Sequence, residues 1–443
     1  MLVGLAVLIS LFYAEEDWRG KRAWENCKRE LEAKGAVLDW NAYIPPPVPD
    51  DQNFFKAPRM TEWFVRNNGK SNTNDLTERL RNVDTFATNL NEAAAAKYLA
   101  WSDQFEPDFD LIREALKRSY ARMDGDYSIP YQIPIPNFAT TRIIVQTLAQ
   151  RTKYFLLLGQ PENALRELTL LNDSRHFLEG APTGKPMPLV SAMINAAVTG
   201  LYVDTIAYGF QRNTWQESQL VALQKQLAEI NLNPFVFDAL QEESAATCHT
   251  AQISWIPKLF DTTIRATWMT RIVWWFWPSG WTYQNMVNVA VLEQKPSEGF
   301  DLAHDTIAPR KFNVDFDRYF KHAFPYEILA AMAVPNFTKA EQTAAHNQTL
   351  VNEAQIACAL ERYRLVHGDY PETLDALKPQ FIVQVPHDII NSQPLHYRRT
   401  NDGQFVLYSV GWNETDDGGQ VAFTKSGSVD RENGDWVWQY PQK

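Results

Sequence analysis

Carboxylates, a thiol and an imidazole crowd together at one place in this sequence, Glu242-Glu243 with Cys248 and His249. On a helix, Glu242 and His249 stand seven apart and share a face, while Glu243 lies about one position round. A carboxylate beside an imidazole can move protons, and all three groups ligate metals, so a hydrolase dyad or a metal pair is the chemistry to test. The motifs that usually accompany such sites are missing. There is no HExxH, no GxSxG and no Gly-rich phosphate loop, and the eight His stand singly at 176, 249, 304, 322, 346, 367, 387 and 396. The pattern therefore reads as an ordinary polar helix face with one satisfied core Glu. Cys27, Cys248 and Cys358 are far apart with no CxxC, which leaves no zinc knuckle or disulfide framework and predicts three buried, inert thiols.

A second candidate is aromatic. Residues 268–281, WMTRIVWWFWPSGW, hold Trp268, Trp274, Trp275, Trp277 and Trp281. Tryptophan couples a large apolar face to one donor, so it favours membrane interfaces, partner hot spots and carbohydrate platforms. Trp274, Trp275, Trp277 and Trp281 are thus the candidate interaction surface. The competing expectation is that they pack a helical core around a turn at Pro278-Ser279-Gly280.

These residues need a scaffold, and composition limits what it can be. In 443 residues, 45% are apolar and 21% charged, with 19 Gly and 25 Pro, which excludes disordered, collagenous and multi-span membrane classes. The net charge of −11, without a Lys/Arg run, argues against nucleic acid as a partner. Residues 1–14, MLVGLAVLISLFYA, are almost wholly apolar and end sharply at Glu15-Glu16-Asp17. A bilayer span takes about 20 residues. The stretch is read as a membrane anchor whose first turn lies upstream, against a signal-peptide core or a short buried helix; no small-x-small cleavage site precedes the polar switch. An anchor here predicts a bacterial inner-membrane protein with its bulk in the periplasm.

Behind it, Trp18, Trp24, Cys27 and Leu31 recur at helical spacing among charges, and Ile44 to Asp50, IPPPVPD, cannot continue a helix. Residues 15–51 are therefore expected to form an amphipathic stalk with a stiff Pro-rich spacer. From 52 to 322 the period is helical, over Leu111 to Met123, Arg142 to Leu158, Glu162 to Leu171, Val190 to Phe210 and Gln216 to Ile230. Gly159-Gln160-Pro161 marks a tight turn between two of these, and no fixed repeat period is evident. The prediction is an irregular helical bundle or short helical repeat.

Residues 323–443 read differently. A long helix from Thr338 to His367 ends at Gly368, a short helix spans Thr373 to Leu377, and extended segments cover Leu395 to Arg399, Phe405 to Val410, Val421 to Thr424 and Trp436 to Tyr440. The series Ala354-Gln355-Ile356-Ala357-Cys358-Ala359-Leu360-Glu361-Arg362-Tyr363, His367-Gly368-Asp369-Tyr370-Pro371, Pro394-Leu395-His396-Tyr397 and Tyr408-Ser409-Val410-Gly411 resembles the head domain of the major pseudopilins of type II secretion systems. The resemblance implies an extracytoplasmic α+β module, so the fold class expected overall is mainly α with a pseudopilin-like tail. The chain departs from the family in placing this unit far from the N-terminus, with Pro325 and Glu327 interrupting its apolar approach. The resemblance further implies calcium in the loop after Ser409-Val410-Gly411. Asn413 stands where the family has its first acid and Glu414 replaces the usual Gly, leaving Asp416, Asp417 and Asp435 as candidate ligands. The functional expectation is a membrane-anchored structural or interaction protein whose partners are envelope or secretion-system proteins. The alternative is an envelope hydrolase or glycan-binding protein with its site in the helical region.

Overall fold

The computed structural model describes residues 2–66, 74–81, 91–179, 188–253, 276–309, 326–327 and 335–438. Its helices, in chain order, are α1 (Leu2–Ala33), α2 (Met60–Phe64), α3 (Asp75–Leu80), α4 (Glu92–Ser102), α5 (Glu106–Leu116), α6 (Phe138–Leu157), α7 (Pro161–Asp173), α8 (Leu189–Gln211), α9 (Glu217–Ala228), α10 (Asn233–Ile253), α11 (Ser279–Ser297) and α12 (Pro335–His367). Helix dominates, and the larger strands gather at the C-terminal end.

The apolar run and the charged stretch behind it are one uninterrupted helix, α1. Its second half buries Gly20, Trp24, Cys27 and Leu31, a single stripe, mainly against α11. Two glycines set the spacing of this pair: a Cβ on Gly20 would collide with the Gly280 backbone, and one on Gly280 with the carbonyl of Glu16. The helix stops at Gly35, whose φ of +96° lets the Ala36 amide reach back to the Leu31 carbonyl. The chain then folds onto the body. Trp40 and Tyr43 are buried beside Ala245 of α10, the Trp40 indole donates to the Tyr127 carbonyl at 2.7 Å, and Arg122 donates to the Pro45 carbonyl. The Pro-rich segment is thus seated on the body: its backbone cannot form a ladder, but its carbonyls still accept, and its flanking aromatics are covered.

In the body, helix breakers act where the sequence places them. Gly159 takes φ +69° after α6 and Pro161 opens α7, while Gln216 and Gln219 close a capping box on α9. The helix expected over Leu111 to Met123 ends at Leu116, because the next residues leave to pair with 52–54: the Tyr120 amide donates to Gln52 and its carbonyl accepts from Phe54. At the centre, Arg151 of α6 is buried and binds Glu167 of α7, Glu106 of α5 and Asp103 at 3.0–3.1 Å. Among the described residues α8 is the one helix long and apolar enough to cross a membrane. It is mostly buried, packed against α6, α10 and α12.

Helix α12 runs through to His367, where Gly368 at φ +89° ends it. Behind a short 3₁₀ turn, Leu374–Leu377, lies an antiparallel sheet of β3 (His396–Arg399), β4 (Phe405–Ser409) and β7 (Trp436–Val437), in the order β3-β4-β7, with His396 opposite Tyr408 and Ser409 opposite Trp436. A hairpin of β5 (Val421–Phe423) and β6 (Val429–Gly434) adjoins it, and a two-residue pair, β1 (Phe300–Asp301) with β2 (Thr306–Ile307), precedes α12. Strand β6 was not expected, since Val-Asp-Arg-Glu-Asn-Gly has no apolar alternation; its pairing with β5 makes it a strand. One apolar cluster joins Leu148, Tyr202 and Ile206 of the body to Ile356, Leu360, Leu407 and Trp438 of the C-terminal part. Polar contacts cross the same seam, with Gln348 accepting from the Leu232 amide and Arg362 bound to Glu217.

Candidate functional site

The acidic loop after β4 is organised by its own amides. Asp435, buried between β6 and β7, accepts from the backbone N–H of Asp417 at 3.2 Å, Gly419 at 2.6 Å and Gln420 at 3.2 Å, while burial raises its carboxyl above the ordinary carboxylate range. Asp416 accepts from the Gly418 amide and the Tyr408 hydroxyl, with the His396 ring 3.5 Å from its other oxygen; the Gly418 bond lowers its pKa. Asp417 accepts from the Asn413 side chain. Each carboxylate is directed to a different set of protein donors. Among the described residues no group of three His, Cys, Asp or Glu is arranged to hold a metal ion, so Asp416, Asp417 and Asp435 do not fit a shared calcium.

The acid, thiol and imidazole group on α10 is separated by the packing of its helix. Glu242 is buried, with Oε2 free of hydrogen bonds, and burial together with the neighbouring Glu243 pushes its carboxyl up to about 9. Glu243 turns to the start of α8, where it accepts the Leu189 amide at 3.1 Å and so satisfies one of that helix's orphan donors. Cys248 faces α11, its thiol 3.8 Å from the Met286 carbonyl and pushed far above its ordinary pKa by burial, which disfavours the reactive thiolate. Glu293 of α11, also buried, is held neutral in the same way. Helical spacing put these groups near one another in sequence, but each serves a different neighbour.

Of the aromatic candidates, Trp268, Trp274 and Trp275 lie outside the described residues. Trp277 is buried among Trp24, Cys27 and Met286, stands edge-on to Trp281 at 5.5 Å and donates to Thr282. Trp281 is half-buried. These two pack the α1–α11 joint. The exposed aromatics of this region are Phe276 and Trp18.

Sequence reasoning missed a cleft of about 600 Å³ between α8, α12 and the sheet. Tyr208, His346, Trp436 and Trp438 line it, with the Lys153–Asp204 ion pair at 2.7 Å. Burial holds the His346 ring neutral, its pKa lowered to about 3. No local spacing announces this group, because its members come from α6, α8, α12 and β7. No family model, curated protein or solved structure matches this chain. Function therefore has to be argued from the geometry alone. Neither the cleft nor the α10 group brings a nucleophile, a base and an orienting partner into reach of one another, as hydrolytic chemistry requires.

Proposed function

We propose that this chain is a membrane-anchored, extracytoplasmic interaction protein, in which the first half of α1 enters the bilayer and the rest presents a single folded surface to envelope or secretion-system partners. The observation that carries this reading is the exposure of Val3, Leu5, Val7, Leu8, Ile9, Leu11 and Phe12, consecutive turns of a helix with apolar side chains on every face. Water is a poor environment for such a surface, since each large apolar side chain left exposed forgoes about 1.5–3 kcal/mol of burial. The extracytoplasmic placement rests on the resemblance of residues 354–411 to pseudopilin heads. Against an enzymatic role stand the commitments of Glu243 to the α8 terminus and of Cys248 to packing.

Membrane fractionation tests the reading. The full chain is expected to sediment with membranes and resist a carbonate wash, and a variant lacking residues 1–14 to become soluble. Protease added to intact spheroplasts should digest the anchored protein. Full-length protein found in the soluble fraction would reject the anchor, and protection from the protease would reject the side of the membrane assigned.

A further inference from the structure

The charges at the exit of the apolar half of α1 are sorted by sign. Glu16 is buried, bound to Arg19 and 3.4 Å from the Gln284 amide nitrogen, and Asp17 accepts the Gly280 amide at 2.7 Å at the start of α11. Two of the three acids are therefore spent on protein groups, leaving Glu15 exposed. Arg19, Lys21 and Arg22 are exposed as well, and the Arg22 guanidinium lies 5.3 Å over the Trp18 ring. Trp18 is 62% exposed, and so is Phe276, which is held beside α1 by the Tyr13 hydroxyl donating to its carbonyl at 2.7 Å. Two large aromatic side chains thus stand uncovered where an apolar helix gives way to outward-facing cations.

We infer that Trp18 and Phe276 form a belt seated among the headgroups of an anionic bilayer, a second membrane contact that fixes the orientation of the body. The inference rests on the anchoring proposed above and adds a partner surface to it. At 1.5 Å per residue, Val3 to Tyr13 spans about 15 Å, and Trp18 lies about 8 Å beyond Tyr13. That is where amphipathic rings favour the interface over either neighbouring phase. The cations around Trp18 complement anionic headgroups, and the burial of Glu16 and Asp17 removes the opposing charge. Because Gly20 and Gly280 lock α11 against α1, Phe276 cannot leave the level of Tyr13 without opening that joint.

An environment-sensitive dye reports the contact directly. The native Cys27, Cys248 and Cys358 are buried, so Phe276→Cys can be labelled in the full chain, with Val383→Cys, 87% exposed and in the C-terminal part, as the control. With vesicles of phosphatidylethanolamine and phosphatidylglycerol, the dye at 276 is expected to shift to the blue and to be quenched by brominated lipid, and the dye at 383 to do neither. The pair Lys21→Glu and Arg22→Glu is expected to weaken binding to these vesicles about tenfold while leaving binding to phosphatidylcholine vesicles unchanged. A chain that floats with the vesicles while the dye at 276 stays water-like would overturn the belt and leave the anchor standing. A chain that does not float overturns both.

Discussion

Glu242 shows how a single buried side chain gives the whole protein a pH dependence. Its carboxyl titrates near 4.3 in an unfolded chain and at about 9 in the folded one. Below the unfolded value both states are protonated and the residue costs nothing; as pH rises towards 9 the unfolded state ionises freely and the folded state does not, so its contribution to stability is lost. Glu242→Gln should therefore leave urea unfolding nearly unchanged at pH 4 and stabilise the protein at pH 8 by an amount on the order of 3 kcal/mol. An equal effect at both values would mean that Glu242 is not held neutral. Residues of this kind are hard to read in a sequence. The turns at Gly159 and Gly368 were legible because left-handed backbone is a local demand that glycine meets. The roles of Asp435 and Arg151 were not, since their partners are the amides of 417–420 and the acids 103, 106 and 167. Distance along the chain hides such pairings, and the same distance made Asp416, Asp417 and Asp435 look like a ligand set.

At the scale of elements, the joint between α1 and α11 is the most consequential contact. A helix pair that meets backbone to backbone at Gly20 and Gly280 has no room for a methyl group. Gly20→Leu should push the helices apart and destabilise the protein by about 1–3 kcal/mol. Limited proteolysis should then release the N-terminal 33 residues earlier than in the parent; unchanged cleavage would show that the joint tolerates the side chain. The helix periods of α6, α7, α8, α9 and α12 were all visible in sequence, with ends within a few residues of those observed. The docking of residues 15–51 was not. Trp24, Cys27 and Leu31 announce an apolar stripe, but a stripe alone does not say whether its partner is solvent-facing, distant in sequence or another molecule.

For the whole molecule, the mainly helical body and the small C-terminal sheet were legible as separate styles of sequence, yet their separation in space was not, and α12 explains why. One side of α12 completes the body against α8 and α9 while the sheet leans on the rest, so Ile356, Cys358 and Leu360 belong to a core shared by both. A fragment of residues 335–443 would expose that side to water. It is expected to give a far-UV spectrum of partial helix with poorly dispersed amide resonances, whereas the same residues within the full chain fold. A well-dispersed spectrum from the fragment would show an autonomous domain. The seating of residues 36–45 has a further consequence for how the protein meets others. Without slack between helix and body there is no tether to set a capture radius, so the effective concentration of a membrane-bound partner would depend on the height and rotation at which the body is held. Such a protein would select partners by geometry before chemistry: a binding site at the wrong elevation above the lipid would stay out of reach at any affinity.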